Sequence, residues 1–302
     1  MPVAAEPANP VAYPWGRDPG SGDEVNRAWQ NATGRNKALL GKIALRPRVR
    51  WFGQWIPTNQ IAGKISGYIR ASQQGDPDKL VQLATFRLWP EKERAKNKPL
   101  TAAQLTAYRQ WVDAAAAGIG SSRVAVVLEP DLAVALKGWR PSVRLSLARY
   151  AAKKLGALPN AAVYLDASDA DWLRLDVAVS MLRSAGVQYI RGFALGATHY
   201  AAWWSNAAYG RQIIARLNAL GIRGKHMVLD TADNGRPFTW LQHYARYPHQ
   251  RFDNAPACKT KAQVRCVTLG VPPTTNVADP AHVDAYLWFG RPWLDRQASP
   301  SR

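Results

Sequence analysis

The chain has 302 residues, 47% hydrophobic and 20% charged, with 40 Lys and Arg against 21 Asp and Glu and a formal net charge of +19. That length and apolar content fit one globular domain with a sizeable core, and exclude a disordered, collagen-like or disulfide-stapled miniature chain. No apolar run reaches the roughly 18 residues that a membrane-spanning helix needs, so no membrane insertion is expected.

Residues 1–34 are Gly-, Pro- and Ser-rich or polar and read as an N-terminal arm, 35–296 as the folded body, and 297–302 as a tail. The opening Met1 to Pro10 lacks a charged stretch followed by an apolar one, and reads as the start of a mature secreted chain. Seven short apolar runs predict strands at 48–53, 80–88, 124–128, 161–165, 189–195, 226–229 and 285–289. Several lack strict alternation, as strands buried on both faces do. Between them, Thr101-Ala-Ala-Gln104 is a capping-box pattern that opens a helix through Ala117, closed by Gly118. Further helices are expected at 142–155, 171–185 and 206–220, each followed by glycine. Alternating strands and helices at this spacing predict parallel βαβ units, in an α/β barrel or a doubly wound sheet.

The positive charge suggests a nucleic-acid partner. The basic residues are nevertheless scattered, and the densest stretch carries only Arg35, Lys37, Lys42, Arg46, Arg48 and Arg50. A solvated basic surface is the simpler reading, and no nucleic-acid partner is expected. The two cysteines, Cys258 and Cys266, have seven residues between them. This spacing suits a loop-closing disulfide in an oxidising, extracellular setting, with two free thiols as the alternative.

Acids gather where the predicted strands end. The run 124–128 leads into Glu129-Pro-Asp131, Leu165 into Asp166, and Leu229 into Asp230, with Asp233 beyond; after 285–289 come Arg291 and Asp295. An Asp in such a place is often a helix cap. Four sets at carboxyl-terminal strand ends favour an active site built from βα loops. Trp51, Trp55, Trp89, Trp172, Trp203, Trp204, Trp240, Trp288 and Trp293 fall near the same ends. Flat indoles beside carboxylates suit a polysaccharide cleft, although core packing accounts for many single tryptophans. No nucleophile elbow, phosphate loop or dinucleotide fingerprint occurs, and the five histidines lack ligand-pair spacing, so no metal or cofactor is expected. Carboxylate acid–base chemistry, that of glycoside hydrolysis, remains.

Six strand-end motifs carry a resemblance: Leu128-Glu-Pro-Asp131, the segment 164–172 from Tyr164 to Trp172, Gly192-Phe-Ala-Leu195, Asp230-Thr-Ala-Asp-Asn-Gly235, Leu269-Gly-Val-Pro-Pro273 and Asp284-Ala-Tyr-Leu-Trp288. In this order and spacing, over about residues 45–295, the chain resembles glycoside hydrolase family 6, the inverting endoglucanases and cellobiohydrolases. The resemblance implies a distorted, incompletely closed seven-stranded parallel barrel, similar to a TIM barrel. It implies Asp131 as the general acid and Trp172 as the indole that stacks a glucosyl ring beside the cleavage point. Tyr164 and Asp166 are expected to orient the cleft. The remaining substrate-binding candidates are Trp51, Trp55, His199, Asp230, Asn234, Trp288 and Arg291.

The chain departs from the family pattern on its water-activating side. The family's Ile-Pro-x-Arg-Asp-Cys stretch is Phe86-Arg-Leu-Trp-Pro-Glu-Lys-Glu-Arg94 here, which leaves Glu91 and Glu93 as its carboxylates. The His of the family's Gly-His-Ala-Gly-Trp segment is Asp169, and the terminal Lys-Pro-Gly-Glu-Ser-Asp-Gly motif is Gly290-Arg-Pro-Trp-Leu-Asp-Arg296. Asp295 is therefore the candidate base and Glu93 a candidate water-chain carboxylate. The expectation is a monomeric, secreted hydrolase of β-1,4-glucan or a related β-glycan, inverting and endo-acting. A carbohydrate-binding or wall-associated protein that keeps the fold without hydrolysis is the alternative.

Overall fold

The seven expected strands form one parallel sheet, β1 (Arg50–Gly53), β2 (Val81–Phe86), β3 (Val124–Leu128), β4 (Ala161–Asp166), β5 (Gly192–Leu195), β6 (His226–Asp230) and β7 (Val283–Leu287), paired in chain order. The structure is a computed structural model and describes residues 9–88, 98–197, 199–250, 252 and 255–290. β1 and β7 are the edges of the curled sheet. They approach through the Val49 amide on the Trp288 carbonyl at 2.8 Å and the Trp51 indole N–H on the Phe289 carbonyl at 2.8 Å. The result is the incompletely closed barrel expected above.

Strand alternation sorts the core into two. One face carries Ala84, Ala125, Val127, Ala162, Tyr164, Ala194, Val228 and Leu287, mostly small residues because seven converging strands leave little room inside. The other face, with Leu83, Val126, Leu128, Val163, Leu165, Phe193 and Leu229, packs under the crossing helices. Helix α3 (Thr58–Gln73) buries Ile61, Ile65 and Ile69, a stripe at four-residue spacing. Helix α4 (Ala102–Ile119) begins with the expected capping box. It runs past Gly118, because Gly118 is where α4 meets the backbone of α3: a Cβ there would lie 2.6 Å from the Ala62 carbonyl oxygen. Gly120, with φ of 58°, ends the helix instead.

Helix α5 (Pro141–Gly156) and helix α7 (Trp203–Ala219) match their expected positions. Helix α6 starts at Leu175, not at 171, and ends at Ala185. Residues 171–174 are drawn out of it by tertiary hydrogen bonds described below. The fifth strand is shorter than its apolar run, since Val187–Tyr189 forms a turn of 3-10 helix. The N-terminal stretch, arm-like in composition, holds α1 (Glu24–Asn31) and α2 (Gly34–Ala44). Ahead of them, fully buried Val11 joins the inner core and the Gly16 amide bonds the Leu80 carbonyl at 2.8 Å. Cys258 and Cys266 form a disulfide with a Cα–Cα distance of 5.1 Å.

At the amino-terminal ends of the strands, β6 and β7 slip register: Met227 pairs with Val283 and Val228 with Ala285. Asp284 is thus an extra residue in β7, and the bulge turns its side chain inward. There it accepts two guanidinium bonds from Arg191, each 2.8 Å, and the Tyr164 hydroxyl at 2.7 Å, with His226 Nδ1 3.2 Å away. Asn9 donates to the Asp284 carbonyl at 2.7 Å, so residues leading into Val11 cap this end. The opposite end of the sheet is left for the site.

Candidate active site

Past β3 the backbone takes a sharp course: Glu129 and Asp131 both adopt positive φ, 53° and 64°. For residues other than glycine this is an uncommon conformation that its surroundings must enforce. Glu129 supplies the enforcement. Its buried carboxylate accepts the Arg87 and Leu88 amides at the end of β2, 2.8 Å each, and the Tyr108 hydroxyl of α4 at 2.8 Å. Burial pushes the Glu129 carboxyl up to about 7, against the lowering effect of those donors. A carboxyl raised by folding stabilises the fold below its unfolded value, and that contribution is lost as pH rises through about 7. Glu129→Gln, which copies the protonated form, is therefore expected to match the wild-type thermal midpoint near pH 5 and to exceed it near pH 8. Equal pH dependence in both proteins would contradict this.

The turn delivers Asp131 to the strand-end face. Its side chain does not cap the 3-10 helix Leu132–Lys137 that follows, although Asp131 occupies the capping position. Beside it, at the end of β4, Asp166 is fully buried and accepts the Ser168 amide at 3.2 Å. Burial, and then the charge of Asp131, hold the Asp166 carboxyl well above the ordinary carboxylate range. A buried carboxyl beside Asp131 opposes a second negative charge at this strand end.

The loop after β4 adds a second group of titratable side chains. Asp169 is buried and held by Asn206 Nδ2 at 3.2 Å; burial, then the charge of Asp171, raise it to about 7. Asp171 accepts His199 Nδ1 at 2.7 Å and the Trp240 amide of α8 (Trp240–Arg246) at 2.6 Å. Burial alone raises the Asp171 carboxyl, but the His199 ring and the Trp240 amide outweigh it and leave it below its ordinary value. These bonds explain why α6 starts late. The carboxyl and imidazole atoms of Asp169, Asp171 and His199 lie within 4.8 Å of one another, close enough to surround a cation. All four carboxylate oxygens already accept hydrogen bonds, from Asn206, His199 and the Asp171 and Trp240 amides, so the network accounts for the cluster without an ion.

Trp172, half-buried, stacks on His199 with ring centroids 4.9 Å apart and planes 8° apart, and Lys137 Nζ lies 5.8 Å from its centroid. Across the sheet edge, Trp55 is 59% exposed, its ring lying over Gly53 and leaving no room there for a side chain. Trp51 is half-buried and leans on Phe86 at 5.2 Å. Asp131 is thus brought to Asp166 and Trp172 to His199, while Trp51 and Trp55 stand at the β1 side.

Other candidates serve the scaffold. Tyr164 is fully buried in the inner core and its hydroxyl reaches Asp284 at the far end, so it does not orient the cleft. Trp288 is 1% exposed and spends its indole N–H on the Val271 carbonyl, which leaves no face for a ligand. Asn234 is buried, donating to the Ala201 and Asp230 carbonyls. Asp230 is a strut between strand ends: it accepts the Ala232, Phe289 and Gly290 amides, and burial, then Asp233, hold its carboxyl well above the ordinary range. Glu93, Asp295 and Arg291 lie outside the described residues, as do Glu91, Trp89 and Trp293. Glu129, Asp169 and Asp171 shape the site more than their sequence context indicated. The available signal was three acids within six residues at the end of one strand, Asp169 and Asp171 following Asp166.

The family described as Glycosyl hydrolases family 6 matches residues 14–293. Endoglucanase A of Cellulomonas fimi is 37% identical over 211 residues, 69% of this chain and 44% of that protein. Endoglucanase 1 of Streptomyces halstedii is 29% identical over 225 residues, 72% of this chain and 68% of that protein. Among solved structures, the endoglucanase Cel6 of Mycobacterium tuberculosis, in complex with methyl-cellobiosyl-4-deoxy-4-thio-β-D-cellobioside, has a TM-score of 0.76 and 32% identity, covering 94% of this chain and 89% of that one. The chain spans less than half the length of the Cellulomonas relative. With seven parallel strands in a partly closed barrel, acids and indoles at their carboxyl ends, and a family match over nearly its whole length, the chain belongs to glycosyl hydrolases family 6.

Proposed function

We propose that the protein is a secreted, inverting endoglucanase that hydrolyses β-1,4-glucan, cellulose or a related β-glycan. The observation that carries this reading is Asp131, delivered by a strained turn to the strand-end face beside the buried Asp166. Asp131 is the general acid: it gives its proton to the departing glycosidic oxygen as the bond to the anomeric carbon breaks. Water attacks that carbon from the opposite face and loses a proton to a base, for which Asp295, or Glu93 through a water chain, remains the proposal. Inversion requires the acid and base carboxyls about 6.5–9.5 Å apart, leaving room for that water. Trp172 supplies a flat apolar face for a sugar ring next to the cleavage point, and Trp55 is an exposed indole on the β1 side.

Endo action and a glucan substrate are supported by the relatives, which are named endoglucanases, and by the cellobiosyl ligand of the Mycobacterium Cel6. The Cys258–Cys266 disulfide supports an oxidising, extracellular setting. A monomer without cofactor completes the proposal. The test is hydrolysis of carboxymethylcellulose and cellohexaose, with the first product anomer read by proton NMR. Early release of the α-anomer is expected. The β-anomer would refute inversion, and no product from any β-glucan would refute hydrolysis and favour a binding protein.

A further inference from the structure

The Asp171–His199–Trp172 assembly joins two loops into one flat unit. His199, 6% exposed, comes from the loop after β5, and Asp171 and Trp172 from the loop after β4. The imidazole lies parallel to the indole at 4.9 Å, its Nδ1 faces the Asp171 carboxylate at 2.7 Å, and Phe252 meets the ring edge-to-face at 4.8 Å. Asp171 is itself fixed by the Trp240 amide at 2.6 Å. One face of Trp172 is thereby covered, and a sugar has only the other.

We propose that His199 is the positioning residue of the sugar platform: clamped by Asp171, it backs the Trp172 indole and sets its tilt. The platform part of this inference rests on the glycan-hydrolysing reading above; the clamp itself does not. An imidazolium against an indole face is held by the ring's quadrupole, an attraction that a neutral ring of the same shape lacks. The charged groups around the pair are Asp171 and Asp169, both electrostatically coupled to His199, and Lys137, whose Nζ is 5.8 Å from the indole centroid. Simple core packing would be served as well by phenylalanine. The carboxylate at Nδ1 gives the charge a partner and fixes the plane of the ring.

The test uses His199→Phe, which keeps a flat ring, and Trp172→Phe. An imidazole stacked on an indole quenches its emission, so His199→Phe should raise tryptophan emission above that of the wild-type protein. That rise should be absent when His199→Phe is made in a Trp172→Phe background. On cellohexaose, His199→Phe should raise KM about threefold to tenfold at pH 6 with kcat within about twofold, the pattern of lost ground-state and transition-state binding together. Emission unchanged in His199→Phe would overturn the clamp, as would a fall in kcat with KM unmoved. If the wild-type protein cleaves no β-glucan, the hydrolase reading fails, and the emission comparison still decides the clamp.

Discussion

Replacing Asp131 by alanine is expected to lower kcat on cellohexaose by about 10²–10⁴-fold, the usual contribution of a positioned proton donor. That range corresponds to roughly 3–5 kcal/mol of lost transition-state stabilisation. The glycosidic oxygen is a poor leaving group unless protonated as it departs. Asp131 is suited to that task by its place at the end of β3, with Leu128 paired to Thr85 and Leu165 in the middle of the sheet and not at a mobile edge. The positive φ of Asp131 is set by Glu129, which anchors the turn to the β2 end and to α4, so the acid is held rigidly. Calorimetric affinity for cellohexaose should change by less than about threefold, because the substitution removes a group acting in the transition state and leaves Trp172 and its His199 backing intact. Full turnover in Asp131→Ala would remove Asp131 from the role of acid.

The largest effect on stability is expected at the other end of the barrel. Asp284→Ala should destabilise the fold by about 3–5 kcal/mol, the usual consequence of removing one partner of a buried ion pair. Asp284 is 1% exposed and neutralises Arg191, while accepting the Tyr164 hydroxyl. Its loss strands a half-buried guanidinium and a fully buried phenol in the inner core. Thermal midpoint is the measurement; for a chain of this size a fall on the order of 10 °C is expected. The pH dependence has a definite sign. Burial would raise the Asp284 carboxyl, but Arg191 and its other partners hold it below the ordinary value. Its contribution is therefore complete above the unfolded value of about 3.9 and is lost as pH falls through the lower folded value. The gap between wild type and Asp284→Ala should be constant from pH 5 to 7 and narrow toward pH 3. A gap that widens in acid would contradict the ion-pair account.

Much of the site's location is local information. Apolar runs marked seven strands, several with too little alternation for an exposed face, and Glu129-Pro-Asp131, Asp166 and Asp230 stood at their ends because parallel strands present that end to a common cleft. The capping box at Thr101 is of the same kind, where short-range pattern and final structure agree. What each acid does is another matter. Asp230 and Asp131 look alike in sequence, yet one accepts three amides across a strand junction and the other sits in a left-handed turn beside a buried carboxyl.

The same limit explains the departures. Tyr164 precedes a site residue by two positions, and strand alternation puts it on the same face as Asp166, but its long ring runs down the core to a bulged residue 120 positions away. Residues 171–174 carry a helical pattern that the pull of Trp240 and His199 on Asp171 overrides. Sequence alone determined the parallel α/β class and the end at which chemistry gathers, because these follow from periodicity and from the geometry of parallel crossovers, while the resemblance to the family implied the barrel. Only the tertiary structure decided which carboxyls are struts, which keep a proton and which imidazole lies behind the indole, because burial and partners contributed by distant segments set those properties.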